Sequence, residues 1–398
     1  MKFTSKTLTI VTLSLFSQSV SAIPFSFEGR SLGMGGVSVA TADLATAAWA
    51  NPAMLTNQRP GDDFSLLIGV GAMLRDDDDL ISDIEDFQDA DDRRQAASSP
   101  SLEEAKAILD MQKIIRELEG KIIAPEVSGV VAMGIAFDSF AMAVSVRGDV
   151  IAGGTVTDLS CDLITDTNCD PDEIFSNQFN ILNLEGVFAT EIGISFAKDF
   201  EISNKKVSVG IKPKIIDLQV FTLTEPIIDA ATSVGDLTEE DVQFHLGTFT
   251  TIDLGFAVDL SQSFRVGLNI RNLLTDEFDV LGQTLNFDTE ARIGLAYHNR
   301  LLTVAIDYDL LENEPLLANS SFKGLKTQYI AAGAEFNVFD FAQLRVGANK
   351  NLASGISNGA KDTTLTAGVG FWLGFNLDIA ATFRDNSIGG FVQTGFRF

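Results

Sequence analysis

Long apolar runs are missing from this chain. Past the first two dozen of its 398 residues, no stretch reaches the ~18 consecutive apolar residues that a spanning helix requires. Histidine is almost absent, with only His245 and His298, too far apart in sequence to form a metal-binding helix. There are two cysteines, Cys161 and Cys169, and no C-x-x-C pair, which removes a thioredoxin-type redox role. Positive charge is scarce as well. Lys and Arg number 28 against 55 Asp and Glu, for a net charge of −27. Nucleic acid is therefore excluded as a partner, because phosphate binding needs a basic face. A polybasic dock on anionic lipid is excluded on the same ground.

What is present starts at the N-terminus. Lys2 and Lys6 precede an apolar core from Leu8 to Phe16, and Val20, Ser21 and Ala22 supply small residues behind it. This pattern predicts a secretory signal peptide over 1–22, cleaved after Ala22. Export into an oxidising compartment makes a local Cys161–Cys169 disulfide the expected state of the cysteines. Membrane residence without a spanning helix requires the other solution, a closed barrel.

From Phe64 onward the sequence alternates with the period of strands. Val392, Thr394, Phe396 and Phe398 interleave with Phe391, Gln393, Gly395 and Arg397. Leu302, Val304, Ile306 and Tyr308 interleave with Thr303, Ala305, Asp307 and Asp309, and the same dyad runs through 264–271 and 375–384. A soluble sandwich also alternates. Here, however, the off-phase side carries charges and glycines in strand after strand, as the wet interior of a membrane barrel would.

Parity sharpens the expectation. Strands of one sense fall near 64–74, 140–151, 206–220, 263–271, 301–309, 342–349 and 375–384. Those of the other sense fall near 126–138, 179–197, 248–260, 288–298, 325–338, 362–373 and 389–398. Tight connections follow the second set, and the long ones at 75–125, 152–178, 221–247 and 272–287 follow the first. Short inner turns, long outer loops and an even strand count are the habit of bacterial outer-membrane barrels. The expected fold is all-β, an antiparallel transmembrane barrel of about 14 strands over 64–398. Terminal Phe398 lies in phase on its strand and resembles the signal presented to the barrel assembly machinery.

Two segments break the pattern. Residues 23–63 are rich in Gly, Ala and Asn and predict an N-terminal plug. Residues 101–119 predict one helix within the acidic first outer loop, opened by a Ser101–Glu104 capping box and stopped by Gly120. That helix is expected on the outer side or over the mouth. The acidic runs Asp76–Asp92 and Asp158–Glu173 read as solvated loops. Within the second, Asp166, Asn168, Asp170 and Asp172 have the oxygen spacing of a weak calcium candidate, without the glycine or distal Glu of a calcium loop. No other metal site and no cofactor is expected. Gly355, Ser357 and Gly359 match the nucleophile-elbow spelling but lack its strand-to-helix context, so no catalytic residue is assigned and no enzyme is expected.

The plug segment holds the most specific motif. Gly33, Gly35 and Gly36 permit close backbone approach and positive φ, and Pro52 fixes a turn after Asn51. This run, with Asn51-Pro52-Ala53, resembles the start of the FadL-type outer-membrane transport family. The resemblance implies a hatch that plugs a fourteen-stranded barrel admitting long-chain fatty acids and other hydrophobic compounds. The stretches at 269–278 (NIRNLLTDEF), 290–299 (EARIGLAYHN) and 343–348 (QLRVGA) resemble outer-membrane proteins labelled conjugal transfer protein TraF. They do not resemble the thioredoxin-like periplasmic protein that shares that label.

These likenesses imply passive uptake of a hydrophobic solute by a protein embedded in outer-membrane lipid. The alternative is an envelope structural or interaction protein that acts in conjugation or cell contact through its acidic outer loops. Alternation alone nominates Arg147, Arg265, Asn269, Arg271, Asp307, Arg345, Asp378, Arg384 and Arg397 as lumen residues. They read either as a structural charge network or as a set whose arginines attract an anionic head group.

Overall fold

The computed structural model describes residues 28–398 except 59–60, 62, 77–78, 119–120, 158–180, 227–244, 275, 281–282, 314–325, 339–340, 355–362 and 385–386. The expected signal peptide, the cysteine pair, the calcium candidate Asp166–Asp172 and Gly355–Gly359 lie outside the described residues.

Alternating sequences build long strands here: β1 (Phe64–Arg75), β2 (Ile122–Ala136), β3 (Ala141–Thr157), β4 (Ile181–Ile202), β5 (Lys205–Pro226), β6 (His245–Asp259) and β7 (Phe264–Arg271). After a short pair, β8 (Asp276–Val280) and β9 (Gln283–Phe287), the wall resumes with β10 (Glu290–His298), β11 (Leu302–Asp309) and β12 (Tyr329–Val338). It ends with β13 (Ala342–Asn351), β14 (Thr363–Trp372), β15 (Asn376–Arg384) and β16 (Ser387–Arg397). All but β8 and β9 form one closed antiparallel barrel of fourteen strands, sealed where β1 pairs with β16. Closure leaves no edge, as a wall in lipid demands. No helix among the described residues is long and apolar enough to cross a membrane.

The polarity of the wall is inverted relative to a soluble core. Val70, Ile192, Ile194, Ile211, Val304, Ile306, Val346 and Val392 are exposed on the outer face. Arg147, Lys212, Lys214, Asp253 and Arg271 are buried on the inner one. Aromatic residues gather at the short-turn end, where Phe64 stacks on Phe398 at 4.9 Å, Phe137 on Phe140 at 4.8 Å and Phe264 lies 5.1 Å from Tyr297. Such girdles mark the water–lipid boundary. The turns at this end are tight. Ser203 and Asn204 both adopt positive φ in the two-residue link from β4 to β5, shorter than the modest connection expected around 198–205.

The first outer connection departs from expectation. It carries two helices, α3 (Leu80–Ala96) and α4 (Leu102–Leu118), where one was predicted. Leu80, Phe87 and Ala90 of α3 are buried, as are Ala107, Met111 and Ile115 of α4, and the two helices pack together as a hairpin. Asp76 caps α3 by accepting from Leu80 N at 2.6 Å and Ile81 N at 3.0 Å. Burial pushes its carboxyl above the usual range, and the two amide donors oppose that. The dense acids of α3 make it look like a solvated run, while the apolar spacing beneath them follows the helical period.

Candidate functional site

Residues 28–57 lie inside the barrel. They form two short helices, α1 (Gly29–Gly33) and α2 (Ala47–Ala50), and a 3-10 turn over Pro52–Thr56. Nearly every residue of the segment is buried. Pro52 sits in the first turn of the 3-10 helix, where its missing N–H costs nothing. Asn51 accepts from Ala53 N at 3.0 Å and donates to Val39 O at 2.9 Å and Phe256 O at 3.1 Å. The side chain thus closes its own turn and fastens it to β6.

The wall makes room for this segment with glycines. A Cβ on Gly333 or Gly347 would collide with the Met34 backbone, and one on Gly255 with Asn51. At Gly267 it would sit 2.5 Å from Val39 O. Several of these glycines face each other across strands: Gly210↔Gly255, Gly267↔Gly294 and Gly333↔Gly347. They form a track without side chains on which the inner backbone lies. On the segment itself Gly35 and Gly36 have φ of 77° and 91°, and Gly33 meets Gly368 of the wall.

Polar anchors complete the fit. Asp307 accepts from Ser38 N at 2.7 Å and Val39 N at 3.0 Å, and Asn269 donates to Ala50 O at 2.7 Å. Arg30 reaches Glu335 through two nitrogens at 2.8 and 2.9 Å. Glu335 also accepts from Arg345 at 2.8 Å, and Arg345 bonds Asp378 at 2.5 Å. Gln393 bonds Asp378 at 3.0 Å and accepts from Gly29 N at 2.8 Å. A circuit therefore runs from α1 through β12, β13, β15 and β16 and back to α1. Glu28 caps α1 by accepting from Arg30 N and Ser31 N. Burial pushes its carboxyl up to about 7; Arg30 opposes the rise, while Asp43 and Asp378 add to it.

Beyond the inner segment, toward the long loops, lies a belt of buried charge. Arg147 pairs with Asp149 at 2.7 Å, Lys212 with Glu191, Lys214 with Asp253 at 2.9 Å, Arg271 with Glu290 at 3.3 Å and Arg292 with Asp309. Each cation has its own carboxylate, and Glu126 adds one more buried acid. Above the belt the lumen face turns apolar. The inward positions of β5 read Ser208, Gly210, Lys212, Lys214 and then Ile216, Leu218, Val220. Ile151, Val187 and Phe249 join them from neighbouring strands. On the outer face of β5 the order reverses, from Val209, Ile211 and Ile215 to Asp217 and Gln219. That side of the wall leaves lipid where the interior becomes greasy.

The residues nominated by alternation are spread over three levels. Arg147 and Arg271 belong to the charge belt; Asn269, Asp307, Arg345 and Asp378 hold the inner segment. Arg265 pairs with Asp259 and Arg397 lies 4.3 Å over the Trp372 ring, both at the short-turn mouth. Arg384 is buried toward the long loops. Sequence reasoning missed Glu28, Arg30, Glu191, Lys212, Lys214, Glu335 and the glycine track. The wall members among them obey the same dyad, which would have found them.

A family profile described as "F plasmid transfer operon, TraF, protein" matches residues 48–309. No curated protein matches the chain in sequence. Among solved structures, the Pseudomonas putida toluene transporter TodX aligns with a TM-score of 0.56 at 13% identity, covering 94% of this chain and 99% of that one. The Ralstonia pickettii toluene transporter TbuX aligns at 0.51 and 14% identity, with coverage of 94% and 99%. The monoaromatic hydrocarbon channel CymD gives 0.50 and 14%, with coverage of 94% and 97%. These structures share the fold of FadL-type channels. The match over 48–309 takes in most of the chain and identifies it as a member of the TraF family described by that profile.

Proposed function

We propose that the protein is an outer-membrane channel for passive entry of uncharged apolar small molecules, with residues 28–57 as the hatch. One observation carries this reading: the lumen wall of β3–β6 changes from paired charge to Ile151, Val187, Ile216, Leu218, Val220 and Phe249 at its outer end. These side chains are packed shut, none more than 5% exposed, and when they part an apolar solute gains about 25 cal/mol per Å² against them where water gains nothing. The belt below supports an uncharged cargo over a fatty acid. Its cations are matched by carboxylates, so a free carboxylate head group would meet no excess positive charge. The structurally similar toluene transporters and the monoaromatic hydrocarbon channel agree with that choice. Secretory export through residues 1–22 and delivery by the barrel assembly machinery belong to the same proposal.

Uptake of radiolabelled toluene and oleate by cells with and without the protein tests it. Toluene entry is expected to require the protein and to fall in Leu218→Asp. Toluene entry that is unchanged in cells lacking the protein refutes the reading. The α3–α4 hairpin supports a second reading, an envelope contact protein, because it leaves Leu102 73% and Leu109 53% exposed beside many acids. Deleting 80–118 separates the two: contact is lost under the second reading, and toluene entry stays.

A further inference from the structure

The register of the barrel sets six residues on one inward-facing row. Thr382, Gly389, Met73, Glu126, Ile151 and Val187 lie each opposite the next across neighbouring strands, from β15 through β16, β1, β2 and β3 to β4. The row stands one inward step beyond Ser128 and Asp149 of the charge belt, toward the long loops. Glu126 is the only charged residue on it, in the company of Met73, Ile151 and Val187. It is 2% exposed, and among the described residues no hydrogen bond reaches its Oε1. The donors just below, Ser128 and Arg147, both give to Asp149 instead.

A second polar atom on the same row is in the same condition. Thr382 is buried, and its Oγ1 has no hydrogen-bond partner among the described residues. Met73 lies between the two. A Cβ built on Gly389 would fall 2.0 Å from Met73 Cγ and 2.9 Å from Thr382 Oγ1, so both side chains converge over that glycine. Met73 is half-buried and packs against the apolar cluster that contains Phe391. Phe391 sits one step below the row, opposite Gly71, with its ring over Gly69. An unbranched thioether refits easily, so Met73 is the member of the row that can yield. The place it leaves has an aromatic floor and an unpaired polar atom on each flank.

We propose that this row is the recognition site of the channel, and that its ligand is an uncharged apolar molecule bearing one hydroxyl, of the phenol class. The ligand displaces Met73, lays its ring over Phe391 and donates its hydroxyl to Glu126 Oε1. The inference rests on the apolar lumen read above and narrows the cargo. A buried acceptor without a donor is costly, and most of all on a group that can carry charge. A plain hydrocarbon leaves Glu126 in that state, whereas a hydroxyl relieves it with a strong bond. A carboxylate ligand would be repelled. An ammonium compound brings three donors, more than one carboxyl oxygen and one hydroxyl can take.

The full-length protein in amphipol is titrated calorimetrically with toluene and with p-cresol, which differ by one hydroxyl. The ratio of the two affinities is the readout. Glu126→Leu should lower the affinity for p-cresol relative to toluene about tenfold, the worth of one hydrogen bond to a carboxyl group. Glu126→Gln keeps an acceptor oxygen and should lower the ratio by about threefold or less. Cold electrophoretic mobility of the barrel shows that the variants fold. In the wild type, the carbon-13 methyl resonance of Met73 should shift on saturation with p-cresol. The same ratio in all three proteins, or an unmoved Met73 resonance, overturns the proposal and leaves the hydrophobic channel standing. Failure of both compounds to bind overturns the two together. Tighter binding of 4-methylbenzylamine than of p-cresol assigns the row to an ammonium ligand and also overturns the proposal.

Discussion

Replacing Glu335 by Gln is the sharpest perturbation of the hatch. The wild-type carboxylate takes two hydrogen bonds from Arg30 and one from Arg345, all between 2.8 and 2.9 Å and shielded from water. The amide is nearly isosteric but neutral and offers one acceptor oxygen. Arg345 keeps Asp378, and Arg30 keeps the Thr41 carbonyl at 2.5 Å, yet two guanidinium groups now share a site without the charge between them. Removing one partner of a buried pair costs about 3–5 kcal/mol. The surviving bonds favour the lower end, so the population with α1 undocked should rise on the order of a hundredfold. Hydrogen exchange of the amides of Met34, Gly35 and Gly36, which bond inside the segment at 2.8–3.2 Å, reports that opening directly. Exchange at these sites within about threefold of wild type would refute the reasoning, since it would mean the circuit holds nothing. Pairing the change with Arg30→Gln should recover part of the loss, because the stranded charge on the hatch is gone.

Two further outcomes follow from the same contacts. Glu28 is held near 7 by burial, above the usual 4.5, so the docked hatch binds a proton that the undocked one releases between those values. Docking is then strongest below about 4.5 and weakens as pH rises through about 7, by about 3 kcal/mol in total; Glu28→Gln should flatten this dependence in pH-jump measurements of hatch proteolysis, and an unchanged slope would count against the burial argument. Gly347→Val should leave the barrel folded but force the Met34 backbone off the wall, giving protease access within 28–57 at a site that is closed in the wild type.

Much of the wall was legible because lipid imposes a strict rule. Residues such as Val304 and Ile306 must face hydrocarbon while Asp307 and Asp309 face inward, and a dyad of that strength survives without any tertiary knowledge. Parity was legible for a related reason, since turns such as Asn299–Arg300 are too short to hide a strand. The β8–β9 pair escaped because its acids, Asp276, Glu277 and Asp279, gave it the composition of a loop. The purpose of the lumen glycines escaped for a deeper reason. Gly267 and Gly294 look like spacers in one dimension, and only the folded backbone reveals that Val39 lies against both. Likewise Arg30 and Glu335 are separated by 305 positions, and no local pattern links them.

The seam between β1 and β16 has a consequence for how the cylinder comes to exist. Phe64 N donates to Phe398 O at 2.8 Å and Phe398 N returns the bond at 3.1 Å, so the two ends of the wall meet directly beside the point where the inner segment enters. Gly29 N donates to Gln393 on β16, 364 positions away, so the seat of the inner segment is complete only once β16 has joined the wall. Sealing the cylinder and seating what lies within it therefore share one strand.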